Sequence, residues 1–324
     1  MGLQMVFAIA AAFLAVFAGL TTPSQGQTWP QRTVKFIVPL GPGSGVDIAA
    51  RLFADRLTAR WGKPVVVENR PGGDGFVAIT GFVGARDDHT LLFSPSAAFT
   101  AHPFLHEKLP YDPRDLVAIA RVSNTLVAIG VPASSKIGSL ADLISAGRAQ
   151  PGKLNWAGSA TGAVDFMFGG FLQSNKLDIG KVPYRDGVQA LNDVAEGRIE
   201  VYASALAIMR PQLEAGRIKL IVIMNQERAP TAPDIPTATE AGHPELTFDG
   251  LVGLFGPQTM SSELRNRIAA DIQAVASDAD IVRLLGATGQ LVRPGNSDEF
   301  AAAIAEQRSM IAAAAKNLGI KSSQ

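Results

Sequence analysis

Residues 34–57 constrain the fold more than any other part of this chain, because a strand, a glycine-rich loop and a helix follow one another without a break. The β-branched run at 34–38 is typical of a buried strand, and apolar residues at helical spacing follow the loop. Such a unit directs free backbone N–H groups and the positive end of a helix dipole at one point. The segment therefore predicts an α/β fold with an anion site at this loop.

The composition of the loop limits which anion it can hold. Val46 stands where a dinucleotide fingerprint needs its third glycine, and no Gly-Lys-Ser/Thr sequence follows for a P-loop. Asp47 places an acid where a polyphosphate would need a cation. The loop is thus predicted to bind one or two carboxylate oxygens, through the candidate residues Leu40, Gly41, Pro42, Gly43, Ser44, Gly45 and Asp47. Two alternatives stay open: the glycines serve only a tight turn with positive φ, and Asp47 only complements the helix dipole.

The charge balance and the lack of cysteine exclude several classes of function. Lys+Arg and Asp+Glu are equal at 29 each, so no overall field favours nucleic acid or an anionic membrane. Cysteine is absent, which excludes disulfides, zinc–thiolate sites, iron–sulfur clusters and cysteine nucleophiles. No cofactor is indicated, and nothing in the sequence points to an obligate interface, so a monomer is expected.

The first residues of the chain carry the pattern of a secretory signal peptide. Val6–Leu20 is an uninterrupted apolar run, shorter than the roughly 20 residues that a membrane span needs. Small and polar residues follow, and cleavage is predicted near Gly26 and Gln27, which makes 1–26 the signal peptide. Met1–Met5 lacks Lys and Arg, so an uncleaved anchor or a misassigned start is the alternative. Export to the periplasm is the expectation.

Strand-like and helix-like runs alternate after this leader, which predicts doubly wound, mainly parallel sheets. With 324 residues and 47% hydrophobic content, the chain is long enough for two such domains. Crossings near 124–131 and 222–230 divide them, so a bilobed protein with a cleft that closes by hinge motion is expected. The last strand is predicted at Phe248–Phe255, and helix caps are predicted at Ser139 and Asn296.

Five segments of the chain carry a resemblance to one known family. The segments are WPQRTVKFIVPLGPGSGVDIAARLFADRL at 29–57, PVVVENRPGGD at 64–74, LPYDPRDLV at 109–117, VPYRDG at 182–187 with Ala190 and Leu191, and PTAPDIPTATEAG at 230–242. In this order, and over nearly all of the chain after the leader, they resemble the Bug-type solute receptors of tripartite tricarboxylate transporters.

This resemblance implies a two-lobed periplasmic binding fold, type II-like, with the ligand cleft between the lobes. It also implies a receptor without catalysis that captures small carboxylates and hands them to membrane permease subunits. Lobe 1 is then expected to comprise 27–125 and 226–324, and lobe 2 to comprise 126–225. In this family a carboxylate is typically held between the glycine-rich loop of lobe 1 and a Ser/Gly-rich loop of lobe 2.

The loop of lobe 2 is expected within 155–165, with the candidate ligand-binding residues Gly158, Ser159, Ala160, Thr161, Gly162 and Asp165. The family usually continues here with Ser/Thr and a His, whereas this chain has Ala163, Val164 and Asp165. An unpaired carboxylate beside a bound anion is unfavourable, so Asp165 is expected either to face away or to pair with a cation. An acid that only complements the helix dipole is the alternative.

Trp156, Tyr184, Arg185 and Ser204 complete the candidates. Trp156 offers the cleft an apolar wall and one N–H donor, or else packs in the core. Arg185 suits a bidentate contact with a carboxylate, or else is an exposed surface residue. Tyr184 stands beside it, and Ser204 follows a predicted strand where relatives often have an acid.

The substitutions in the second loop favour one class of ligand. Polar family positions have become Ala, Val or Phe, and an indole is present, so a carboxylate with an apolar or aromatic body is favoured over a citrate-like polyanion. An amine-bearing ligand that meets Asp165 is a second hypothesis.

Two other classes of function compete with transport. An exported hydrolase would need a nucleophile elbow, but neither Ser44 nor Ser159 lies in G-x-S-x-G. His102 and His106 are spaced as a metal pair could be, yet Pro103 interrupts them and no third ligand is evident. A receptor that signals through a partner would use the same ligand-driven closure as a transport receptor.

Overall fold

The computed structural model describes residues 29–158, 162–184 and 186–322. The predicted signal peptide, Ser159, Ala160, Thr161 and Arg185 therefore lie outside the described residues. The chain forms two units, 1–31 and 32–324, and every element named below belongs to the second. Among the described helices, none combines the length and the apolar character that crossing a bilayer requires.

Strands and helices alternate along much of the second unit. The strands are β1 (Val34–Val38), β2 (Val65–Asn69), β3 (Thr90–Pro95), β4 (Leu116–Thr125), β5 (Val127–Pro132), β6 (Leu154–Gly158), β7 (Ile179–Lys181), β8 (Val201–Ala205), β9 (Ile218–Ile223), β10 (Gly250–Pro257) and β11 (Gln290–Gly295). The helices are α1 (Gly45–Trp61), α2 (Phe76–Ala85), α3 (Ala97–Thr100), α4 (His102–Leu105), α5 (Leu140–Ala149), α6 (Ala163–Ser174), α7 (Gly187–Ala195), α8 (Leu206–Glu214), α9 (Ser262–Ala276), α10 (Ala279–Gly286) and α11 (Ser297–Asn317).

The strands form two sheets. One is six-stranded in the order β11-β4-β10-β3-β1-β2, and the other is five-stranded in the order β7-β6-β8-β5-β9. The six-stranded sheet with its helices forms the first lobe, and the five-stranded sheet with its helices forms the second lobe. The strands of the first lobe come from 34–125 and 250–295, and those of the second from 127–223.

Both sheets are mixed, although the sequence pattern predicts mainly parallel ones. In the first lobe β1 is parallel to β2 and β3, while β10 is antiparallel to β3 and β4, and β11 is antiparallel to β4. In the second lobe β6 is parallel to β7 and β8, while β5 is antiparallel to β8 and β9. Most of the antiparallel strands adjoin the crossings between lobes. A buried strand is a continuous apolar run whether it is parallel or antiparallel to its neighbours, so the sequence pattern cannot distinguish the two arrangements.

Two strands of the first lobe lack the continuous apolar run from which strands are predicted. Strand β4 carries Arg121, Ser123 and Asn124 among its apolar residues, and β11 carries Arg293, so neither forms a continuous apolar run. The strand predicted at Phe248–Phe255 is observed as β10, but it is not the last strand, because β11 follows it. The predicted cap of the final helix is confirmed as a reciprocal capping box between its N-cap and the third helical residue.

Asn225 ties together the two chain crossings between the lobes. Its side chain is fully buried; Oδ1 accepts a hydrogen bond from the Val127 N–H at 2.7 Å. Nδ2 donates to the Thr125 carbonyl and to Asp249 Oδ1, both at 3.0 Å. Residues 125–127 lead from β4 to β5, and Asn225 and Asp249 flank the return from β9 to β10. One side chain thus joins both connections between the lobes.

Helix α11 belongs to both lobes. Phe300, near its start, packs in a core cluster of the first lobe, whereas Ile311, Ala314 and Ala315 pack in the core of the second lobe. Residues 226–324 are expected in lobe 1 from the sequence, and the structure places the last turns of this helix in the other core.

Candidate ligand-binding site

Each lobe has a point at which the order of its strands reverses. From β1 the chain passes through α1 to β2 on one side, and then through α2 to β3 on the other side of β1. Strand β6 is related to β7 and β8 in the same way. Ligands of open α/β sheets bind outside the carboxyl ends of strands at such a switch point. The loops after β1 and β6, which the sequence singles out, stand at these two points.

The side chain of Asp47 holds the first-lobe loop in one conformation. Gly43 donates its backbone N–H to Oδ2 at 2.8 Å, and Asn69 Nδ2 donates to Oδ1 at 2.8 Å. Asn69 also donates to the Leu40 carbonyl at 2.9 Å, and Arg51 Nη2 lies 3.0 Å from Asp47 Oδ1. Gly43 has φ of +85°, which a residue with a side chain would adopt only with strain. The loop is thus preorganised.

These contacts favour the ionised form of the Asp47 carboxyl. Burial alone would raise the pKa of this carboxyl, but the hydrogen bonds from Arg51, Gly43 and Asn69 hold it below its ordinary value. Both of its oxygens are already engaged inside the protein. The arrangement supports a structural role for Asp47 in the loop over direct contact with an anion.

The donors left for a ligand lie at the start of α1. Ser44 is the N-cap, and its Oγ accepts from the Asp47 N–H at 3.2 Å, which leaves its hydroxyl hydrogen to donate elsewhere. The Ser44 N–H donates to the Gly41 carbonyl at 3.3 Å and is therefore engaged within the loop. The first N–H groups of a helix have no acceptor within it, so Gly45 and Val46 present theirs outward.

The second-lobe loop begins at Gly158 and reaches α6 through Gly162. Gly162 is the N-cap of α6, with φ of +66° and no side-chain cap. A Cβ placed on Gly158 would lie 1.8 Å from Asp165 Oδ1. The Asp165 carboxylate therefore fills the space that a side chain at 158 would need.

Asp165 pairs with a cation from the neighbouring strand. Lys181, the last residue of β7, places its Nζ 2.6 Å from Asp165 Oδ2 and 5.4 Å from the ring centre of Trp156. Burial raises the pKa of Asp165, although the Lys181 ammonium partly offsets this. Among the described residues, Oδ1 has no hydrogen-bond partner. Of the two arrangements expected for Asp165, pairing with a cation is the one observed.

Sequence reasoning missed Arg51, Asn69 and Lys181, which support the two loops. Asn69 and Lys181 are each the last residue of the strand that follows the helix, and they lie opposite Val38 and Trp156 in the parallel registers. A search for polar residues at the ends of the strands next to each loop would have found both.

The two lobes touch near these loops. Leu105, at the end of α4 in the first lobe, lies against Gly162, where a Cβ would be 2.5 Å from its Cδ1. A Cβ on Gly289, just before β11, would lie 3.1 Å from the Ala207 side chain at the start of α8. Both contacts lie at the sheet edges where β1, β3, β6 and β8 end. These edges therefore border the cleft between the lobes.

Comparisons with known proteins agree with this architecture. The model of the tripartite tricarboxylate transporter family receptor matches residues 49–320. The chain belongs to this receptor family. BugT of Bordetella pertussis is 26% identical to it over 325 residues, which cover 99% of each chain. The resemblance seen in the five sequence segments is thereby confirmed.

Two solved structures from Rhodopseudomonas palustris are similar along most of their length. Rpa4515, solved with adipate, has 26% identity and a TM-score of 0.78, covering 90% of this chain and 99% of that one. MatC, solved with bound malate, has 25% identity and a TM-score of 0.70, covering 89% and 99%. The chain is therefore a solute-binding receptor of the tripartite tricarboxylate transporter family, which is a family of receptors and not of enzymes.

Of three further candidates, Trp156 and Tyr184 make internal contacts, and Ser204 is buried. Trp156 is buried and packs edge-to-face on Phe168, with ring centres 5.0 Å apart. Ser204 is fully buried at the end of β8. The Tyr184 hydroxyl donates to Asp193 of α7. Trp156 is thus packed in the core and also lines the cavity beside the second-lobe loop.

A cavity of about 710 Å³ adjoins the second-lobe loop of the receptor. It extends from Gly162 along α6 and β7 towards the end of the chain, with Asp165 and Lys181 in its wall. Most of the remaining wall is apolar and includes Leu105, Phe166, Leu172, Leu177, Ile179 and Leu318. The cavity is large enough for a small organic acid.

His102 and His106 each face a polar partner within the first lobe. His102 Nδ1 lies 3.1 Å from the Tyr111 hydroxyl, and burial lowers its pKa to about 4. His106 Nε2 lies 3.2 Å from Asp74 Oδ2. Within the described part of the chain, the trio that could share a metal is 87–89, at the amino end of β3, on the sheet edge opposite the loops.

Proposed function

We propose that this receptor binds a small carboxylate between its two loops and delivers it to the permease subunits of a tripartite tricarboxylate-type transporter. The observation that carries the proposal is the pair of helix N-termini, α1 and α6, each at the switch point of its lobe. Helix N-termini attract anions through free N–H groups and the helix dipole. The relatives solved with adipate and malate support a carboxylate as the anion.

We further propose that the ligand carries one carboxylate on an apolar or aromatic body. The sequence argument rests partly on Ala163 and Val164, but both are buried in the second lobe. The cavity beside Gly162 is the stronger support, because its wall is mostly apolar. An apolar body placed there would gain hydrophobic free energy that a polyanion such as citrate would not.

Export completes the proposal. We propose that 1–26 is removed as a signal peptide and that the receptor acts in the periplasm. Intact-mass measurement of the protein from a periplasmic extract would test this, with an N-terminus at Gln27 expected. A protein that stays with the membrane at full length would contradict cleavage.

A thermal-shift screen of the periplasmic protein tests the ligand class. The panel is citrate, malate, adipate, glutamate and benzoate. An acid present at about 100 times its dissociation constant should add about 2.7 kcal/mol to the free energy of unfolding. We expect benzoate, which has one carboxylate on an aromatic body, to raise the melting temperature most, and a larger shift with adipate would contradict a single carboxylate. A larger shift with citrate would contradict the apolar body, and no shift with any acid would contradict carboxylate binding.

Uptake by cells tests the delivery step. Cells that lack this chain should lose uptake of the radiolabelled acid that gives the largest shift, and the full-length gene should restore it. Unchanged uptake would contradict delivery to a transporter and favour a receptor that signals through a partner.

A further inference from the structure

We infer that Lys181 decides whether the second lobe accepts a carboxylate, because it neutralises Asp165 at the start of α6. The inference rests on the proposed carboxylate site and deepens it by naming a specificity-determining residue. It follows from a comparison of equivalent positions in the two lobes.

Asp47 and Asp165 occupy the same position in equivalent units. Each is the third residue after the N-cap of the helix that follows a switch-point loop, with Ser44 and Gly162 as the N-caps. In both lobes the side chain turns back towards the loop: Asp47 accepts from the Gly43 N–H, and Asp165 fills the side-chain space at Gly158. Each acid therefore lies against a glycine of the loop that is proposed to meet the anion.

The two acids differ in how their charge is compensated. One turn along α1 from Asp47 stands Arg51, whose Nη2 is 3.0 Å from the carboxylate, and neutral Asn69 supplies a further donor. One turn along α6 from Asp165 stands Gly169, which has no side chain. Lys181 occupies the strand position of Asn69 and is the cation that the described structure places on Asp165. The second lobe thus depends on one lysine for a neutral site.

The other charged and titratable groups around Asp165 do not replace this lysine. The Tyr202 phenol faces it from β8, and Lys176 and Asp178 line the same cavity from the end of α6 and the start of β7. Tyr202 carries no charge near neutral pH, and the opposite charges of Lys176 and Asp178 sum to zero. Without Lys181, an ionised Asp165 would repel an anion at the loop.

The test removes the cation and then the acid. Lys181→Met leaves the carboxylate unpaired, Asp165→Asn/Lys181→Met removes both charges, and Lys176→Met removes another lysine of the same cavity as a matched control. Urea unfolding is measured without ligand at about pH 8 and about pH 5. We expect Lys181→Met to lower the urea midpoint at about pH 8 and to recover at about pH 5, because burial favours protonation of the unpaired acid.

The double variant should resemble the wild-type protein at both pH values, as should Lys176→Met. A loss in Lys181→Met that is independent of pH, or that Asp165→Asn does not relieve, would overturn the inference. This arm needs no ligand, so it decides the electrostatic claim even if the carboxylate proposal fails.

Isothermal titration with the acid of the five-member panel that gives the largest thermal shift provides the second arm. At about pH 8, Lys181→Met should bind it at least about tenfold more weakly, while the double variant should stay within about threefold of wild type. Equal binding by wild type and Lys181→Met would overturn the inference and leave the proposed function intact. Tight binding by the double variant would exclude a merely structural role for Lys181.

Discussion

The two switch-point loops of this receptor share a topology but are supported in different ways. In the first lobe, Asp47 is enclosed by Gly43, Arg51 and Asn69, and both of its oxygens are engaged. In the second lobe, Asp165 has one ion pair with Lys181 and lies in the wall of a cavity. A network in which every oxygen of the acid has a hydrogen-bond partner fixes one loop geometry, whereas a single ion pair beside a cavity allows the side chains to rearrange.

This difference assigns different tasks to the two lobes. The first-lobe loop is the proposed anion site, and its internal hydrogen bonds set its shape independently of the rest of the ligand. The second-lobe loop adjoins the space where the remainder of a ligand would lie. We therefore expect changes of ligand preference within the family to concentrate around α6 and β7.

The largest effect is expected from Asp47→Ala. It leaves the Gly43 N–H and the Asn69 amide without their acceptor, which should cost about 3 kcal/mol of unfolding free energy. The measurement is urea unfolding at about pH 7, with the exposed Asp55→Ala on the same helix as the control, expected within about 0.5 kcal/mol of wild type. Equal losses in the two variants would show that the Asp47 network has no special role.

The pH dependence of this loss sharpens the prediction. Because the pKa of Asp47 is held below its ordinary value of 3.8, its stabilisation is complete above that value and is lost as the pH falls through the folded-state pKa. The gap between wild type and Asp47→Ala should therefore shrink on acidification. A gap that stays constant down to about pH 2 would contradict the ionised network.

Gly158→Ala should have the next largest effect. Its Cβ would lie 1.8 Å from Asp165 Oδ1 and 3.1 Å from Trp156, so the ion pair must move, at a cost of about 2–3 kcal/mol. In the first lobe, Gly41→Ala is the matched control, since nothing lies within 4 Å of a Cβ there. Urea midpoints measure both. If Gly41→Ala lowered the urea midpoint and Gly158→Ala left it unchanged, the claim that Asp165 fills the side-chain space at Gly158 would be contradicted.

Ser44→Ala should cost about 1 kcal/mol, because the N-cap acceptor for the Asp47 N–H is lost. It should also weaken binding of the best acid in the panel, since the hydroxyl is a proposed donor. Ser139→Ala removes an equivalent N-cap on α5, away from both loops, and controls for the cap alone. Both variants should lose similar stability, but only Ser44→Ala should lose affinity by titration calorimetry.

The smallest effect is expected from Asp165→Asn, within about 1 kcal/mol at neutral pH. Burial raises the pKa of Asp165, so its ionisation disfavours the folded state as the pH rises through that pKa. Wild type should therefore gain stability relative to the variant on acidification, opposite to the trend for Asp47→Ala. Parallel trends in the two lobes would contradict the contrast between their acids.

The sequence could predict the elements whose signals are local. The strand–loop–helix unit at 34–57 and the capping box at Asn296 depend on residues within a few positions of one another. Strands β4 and β11 were missed because polar residues interrupt their apolar runs, and the mixed sheets because strand direction leaves no trace in an apolar pattern. The β-α-β-α-β order that both lobes share could not be predicted either, because the two lobes share a topology but little sequence.

By itself, the sequence determined that the chain forms two α/β lobes, that a glycine loop precedes a helix in each lobe, and that an acid stands near the start of each of these helices. Only the tertiary structure decided what each acid meets. Asn69 and Lys181 reach the acids because parallel pairing sets them opposite Val38 and Trp156 at the strand ends. Strand register is a property of the assembled sheet, and it is the register that makes one site a saturated network and the other a single ion pair.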